Sequence, residues 1–144
     1  MQQVKRGQIS LEYLIVIGFV LFVIIAVIGV AVFYSAAISD KLKLNQLKSF
    51  ANKVITNSES VFFAGSPAKA TITAYLPKGV QSISIEQDGS EYFIVVLIET
   101  NSGLTTIAFP SDVPLNTSAT ISPQSGVKRL SIIAGAESVS IVEG

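Results

Sequence analysis

Few side chains in this sequence are equipped for chemistry, and what is missing narrows the field first. None of the 144 residues is His or Cys. That excludes the imidazole general base, the Ser-His-Asp arrangement, disulfides, thiol nucleophiles and most zinc and copper sites. Four groupings remain. Lys5-Arg6-Gly7-Gln8 sets two cations before a Gly–Gln bond. Glu12 stands at the edge of a long apolar run, where a carboxylate is costly unless paired. Glu86, Asp88, Glu91 and Glu99 gather near two turn signals. They lack the spacing of an EF-hand loop, so a solvated sheet face is a simpler account than a calcium site. Asn116-Thr117-Ser118 is an N-glycosylation sequon in an expected loop. No phosphate-binding Gly-rich loop, catalytic carboxylate pair or nucleophile motif stands out, so neither an enzyme, a cofactor nor a metal site is expected. Lys plus Arg and Asp plus Glu number ten each. Without net positive charge, nonspecific nucleic-acid binding is not expected either.

These groups hang on an uneven distribution of hydrophobicity. The chain is 49% hydrophobic and 14% charged, with a mean hydropathy of +0.58. Leu14 to Phe33 is an unbroken run with no polar side chain, interrupted only by Gly18 and Gly29. Twenty residues at about 1.5 Å each span roughly 30 Å, the thickness of a bilayer hydrocarbon core. The run is apolar on every face, so it has no solvent side. Tyr13 and Tyr34 bracket it, as interfacial aromatics do. Beyond it the pattern turns amphipathic. Leu44, Leu47, Ala51 and Val54 recur at helical spacing, with Phe50 and Ile55 beside them and Ile38 and Leu42 before them. Lys41, Lys43, Lys48 and Lys53 take other positions. No Pro occurs before Pro67 and no Gly between Gly29 and Gly65. One helix is therefore expected within residues 8–57, from about Ser10 to about Thr56. Asn57-Ser58 and then Gly65-Ser66-Pro67 are its stop signals.

From about Ser60 the period changes to two. Strands are expected at Ala70–Leu76, Val80–Glu86, Glu91–Thr100 and Leu104–Phe109, with turns at Gln87-Asp88-Gly89-Ser90 and Asn101-Ser102-Gly103. Weaker candidates are Ala119–Ile121, Val127–Ala134 and Val139–Val142, and Pro110 to Pro114 reads as a loop. Tyr92 to Ile98 is apolar on both faces, which predicts a central strand covered on both sides. The fold class is α+β: a long N-terminal helix, apolar in its first half and amphipathic in its second, packed on one antiparallel sheet within residues 58–144.

The first residues admit three readings. One is an uncleaved single-span anchor. Another is a secretory signal cut near Ser35-Ala36-Ala37, which the length of the apolar run and the Glu at its doorstep disfavour. The third cuts after Gly7, before the apolar run, and keeps the run in the mature chain. The order Lys5-Arg6-Gly7, then Gln8-Ile9-Ser10-Leu11-Glu12, then an apolar helix, resembles the class III signal peptide of archaeal type IV pilins of the Gln-x-Ser-x-Glu type. The resemblance covers residues 1 to about 38 in detail and the rest only in general plan.

That resemblance implies a cleaved leader, residues 1–7, removed by a prepilin peptidase between Gly7 and Gln8. Lys5, Arg6, Gln8, Ser10 and Glu12 make up the processing motif. Glu12 becomes the fifth mature residue, a position associated with subunit assembly, and a neighbouring subunit's new α-amino group would be its partner; the alternative is a solvated carboxylate at the membrane surface. Cyclisation of Gln8 would remove that amine. The implied product is a homo-oligomeric helical filament at the cell surface, built from a single-pass membrane precursor by an assembly ATPase and a membrane platform protein. Residues 14–33 form its membrane and filament-core segment, with Leu14, Ile17, Leu21, Ile24, Ile25 and Ile28 packing on sister helices. The positive-inside count opposes the implied orientation: Lys5 and Arg6 stand against four lysines beyond the run. Large domains translocate regardless of such charges. A role in adhesion is expected. The alternatives are a single-span surface protein whose β-domain binds a ligand, and a minor subunit that primes or tips the fibre.

Overall fold

A computed structural model describes the backbone of residues 3–144 and the side chains of residues 10–144. The chain divides into two units, Met1–Ser39 and Asp40–Gly144. Helix α1 runs over Gln3–Ala64, 62 residues. In the first unit it is the whole of the described structure. In the second, residues 40–64 pack on six strands: β1 (Lys69–Leu76), β2 (Val80–Asp88), β3 (Glu91–Thr100), β4 (Gly103–Ser111), β5 (Gly126–Ala134) and β6 (Val139–Glu143). The protein is α+β with a long apolar helix.

The amphipathic stripe of α1 enters the core as its spacing predicts. Leu47, Phe50, Ala51 and Val54 are fully buried, Leu44 partly so, whereas Ile38 and Leu42 remain exposed. The helix then continues two turns past the expected stop at Asn57-Ser58. Asn57 Nδ2 donates to the Lys53 carbonyl at 2.7 Å, and Ser58 Oγ to the Val54 carbonyl at 2.9 Å. Both polar groups are thus satisfied inside the helix rather than competing with it. Ser58 and Val61 extend the buried stripe, so packing overrides the local breaker signal. The actual stop is Gly65, at φ 78°, which the absence of a Cβ permits.

The strands form two three-stranded antiparallel sheets, not the single sheet expected. Their orders are β1-β5-β6 and β2-β3-β4. The second is a meander closed by two tight turns, inserted between β1 and its partner β5. Alternation tells a strand which face is apolar but not which strand it pairs with, and β1 finds a partner some fifty residues on. The inner faces share one core: Ile72, Leu76, Leu130, Ile132 and Ile141 from the first sheet, Ile83, Ile85, Ile94, Val96 and Ile98 from the second. Ala119–Ile121 is not a strand. Ile121 is buried there as a single anchor in an irregular segment. Pro110 lies within β4 rather than in a loop, tolerated because β4 is an edge strand. β3 is central, as expected, but only one of its faces is covered. Ile94, Val96 and Ile98 are fully buried, while Phe93, Val95 and Leu97 opposite are only half-buried.

Candidate functional site

The apolar run of α1 is the most unusual surface of the molecule. It is long and apolar enough to cross a membrane, and none of its apolar window is buried. Every large apolar side chain from Leu14 to Phe33 is 42–78% exposed. Among the described residues, nothing beyond the local helix backbone lies within 4 Å of where a Cβ would stand on Gly18 or Gly29, so no packing contact there requires their small size. At 100° per residue, the six expected packing residues, Leu14, Ile17, Leu21, Ile24, Ile25 and Ile28, fall within an arc of about 100°. Glu12, exposed, projects on roughly the opposite side. Phe33 and Tyr34 meet edge to face with centroids 6.4 Å apart. Lys5, Arg6, Gly7 and Gln8 lie outside the residues whose side chains are described; Ser10 is exposed.

The four acids do not converge. Glu86 and Glu99 sit at opposite ends of the outer face of the β2-β3-β4 sheet, and Asp88 pairs across the turn with Glu91. Ser84 Oγ donates to Glu86 at 3.1 Å, and Gln81 Nε2 to Glu99 at 3.2 Å. Among the described residues no three acidic groups come close enough to hold an ion. The sequon lies in the loop after β4. Asn116 is half-buried, with its backbone N–H donating to Val139 O at 2.9 Å and its Oδ1 accepting from Ser118 N at 2.9 Å. Its Nδ2, the atom a glycan would take, donates only a long 3.4 Å bond to Ser140 Oγ.

Two constellations escape a reading of the motifs. Asp40 accepts the Asn101 backbone N–H at 3.1 Å and its Nδ2 at 3.2 Å, tying α1 to the β3–β4 turn. Lys128 and Glu143 form an ion pair at 2.6 Å on the inner face of the β1-β5-β6 sheet, with side-chain exposures of 9% and 26%. Glu143 also accepts Ser122 N–H at 2.7 Å. The Lys128 hydrogen bond holds the Glu143 carboxyl below its ordinary range, against the opposing pull of burial. A signal for Lys128 exists in the sequence, since it is in phase with Leu130, Ile132 and Ala134. Its charge argues for solvent, and its phase argues for the core.

A groove of about 380 Å³ opens between α1 and β1, floored by Phe50 and walled by Tyr75 and Val127. Lys53 on its rim donates to the Thr73 carbonyl at 2.6 Å, capping the free edge of β1. Compared with family models, curated proteins and solved structures, the chain matches none.

Proposed function

We propose that this chain is a pilin-like structural subunit of an archaeal type IV-like cell-surface pilus, assembled by bundling of its N-terminal helices and serving surface adhesion. The observation that carries the reading is the apolar run exposed on all sides in one unbroken helix. Sixteen large apolar side chains lie between Leu14 and Phe33. At the low end of about 1.5 kcal/mol for full burial, scaled to the 42–78% of each side chain left exposed, leaving them in water forgoes on the order of 15 kcal/mol. That is as large as the whole stability of an ordinary domain, about 5–15 kcal/mol. The segment must therefore be covered, first by lipid and then by sister helices that replace lipid on the same faces. Lys5-Arg6-Gly7 ahead of Gln8-Ile9-Ser10-Leu11-Glu12 supports processing by a prepilin peptidase before that exchange. The assembly ATPase and platform protein supply the work; the subunit needs no catalytic group of its own.

Electron microscopy of sheared cells, with mass spectrometry of the released material, tests this. Fibres made of a chain starting at Gln8, free or cyclised, are expected. Recovery only as a detergent-soluble monomer would refute the filament and leave a single-span anchored surface protein.

A further inference from the structure

We infer that the outer face of the β2-β3-β4 sheet docks, head to tail, on the α1–β1 groove of a second copy of this chain. The inference rests on the filament reading and names the contact between its heads. Phe93, Val95 and Leu97 form an apolar stripe down the outer face of the central strand, half-exposed. Leu104 beside them on β4 is 64% exposed. Glu86 and Glu99 mark the two ends of this stripe. Its charge is one-sided: from Gly79 to Val127 the sequence has five acids, Glu86, Asp88, Glu91, Glu99 and Asp112, and no Lys or Arg.

The groove is the opposite in charge and alike in its apolar walls. Its rim holds Lys53, and Arg129 stands two residues along β5 from Val127 on the same outer face. None of the residues lining it is acidic. From Asp40 to Lys78 there are six lysines and two acids, one of which, Asp40, already accepts from Asn101. The residues lining the groove come from α1, β1 and β5 and none from the β2-β3-β4 sheet, so the acid-ended apolar stripe does not fill the groove of its own chain. Joined between copies they bury apolar area, and their opposite charges fix the register. Because the two patches differ, the contact is heterologous and propagates, whereas a self-complementary patch would stop at a dimer.

The absence of Cys makes the test direct. Thr106→Cys on the outer sheet face and Ser49→Cys on the groove rim are both at exposed positions. They are introduced singly and together into the full chain, and membranes and sheared fibres are oxidised and run without reductant. The double variant is expected to give a ladder of dimers, trimers and higher species. Each single variant should stay monomeric, and the two singles co-expressed should stop at dimers. Adding Glu86→Lys and Glu99→Lys to the double variant should cut the ladder by about tenfold, since juxtaposed like charges disfavour a contact strongly. No ladder from the double variant, or dimers from Thr106→Cys alone, would overturn the inference. In that case fibres still present in the sheared fraction would leave the filament reading standing, whereas loss of fibres from unaltered cells would remove the filament reading itself.

Discussion

Replacing Glu143 with Gln tests the tertiary structure most sharply, because the substitution keeps shape and removes only charge. Lys128 would then hold its ammonium at 9% exposure without a counter-ion. Breaking one side of a fully buried pair costs about 3–5 kcal/mol. Glu143 is 26% exposed, so water takes over part of its role and about 2 kcal/mol is the better expectation. For a folded unit of this size that lowers Tm by about 10 °C. The paired variant Lys128→Met with Glu143→Leu removes both charges and should unfold within about 1 kcal/mol of the unaltered chain. Far-ultraviolet circular dichroism of the full chain in detergent, following strand signal against temperature, reads both. The pH dependence follows from the same pair. The Glu143 carboxyl titrates below its ordinary value of 4.5 when folded. Its contribution is therefore fully present above 4.5 and disappears as pH falls through the depressed folded value. The unaltered chain should lose Tm in that acid range more steeply than the paired apolar variant. A Glu143→Gln Tm equal to that of the unaltered chain, or a paired variant as damaged as the single one, would refute the reasoning.

Ile25→Lys places an ammonium in the middle of the apolar run, where insertion costs about 2.5–3.5 kcal/mol; carbonate extraction of membranes should show a larger released fraction, and sheared fibre yield should drop. Gly79→Ala forces a Cβ to within 2.9 Å of the Glu99 carbonyl at a φ of 96°. A loss of about 1–3 kcal/mol is expected in denaturant unfolding, and an unchanged midpoint would show that the β1–β2 turn relaxes freely.

What could be read from residues alone was whatever depends on neighbours along the chain. Leu14 to Phe33 has no polar interruption, and no Pro breaks α1, so helix and greasy surface follow from composition and period. Leu47, Phe50, Ala51 and Val54 fall on one side at helical spacing, and that side is the buried one. The two hairpins are written in Asp88-Gly89 and Asn101-Ser102-Gly103, where glycines adopt positive φ. Folding in three dimensions decided the remainder. Asn57 and Ser58 read locally as a stop, yet helix interior bonds and a buried Ser58 carry α1 on to Ala64. The split into two sheets depends on β1 pairing with β5 across an inserted meander, a long-range choice that alternation does not encode. Lys128 lies inside because Glu143, fifteen residues away, meets it there. Tyr92 to Ile98 is apolar on both sides in sequence, but the fold fills only one of them. Hydrophobicity announces that a surface wants covering; only the arrangement of the other elements determines whether this chain covers it or leaves it to another.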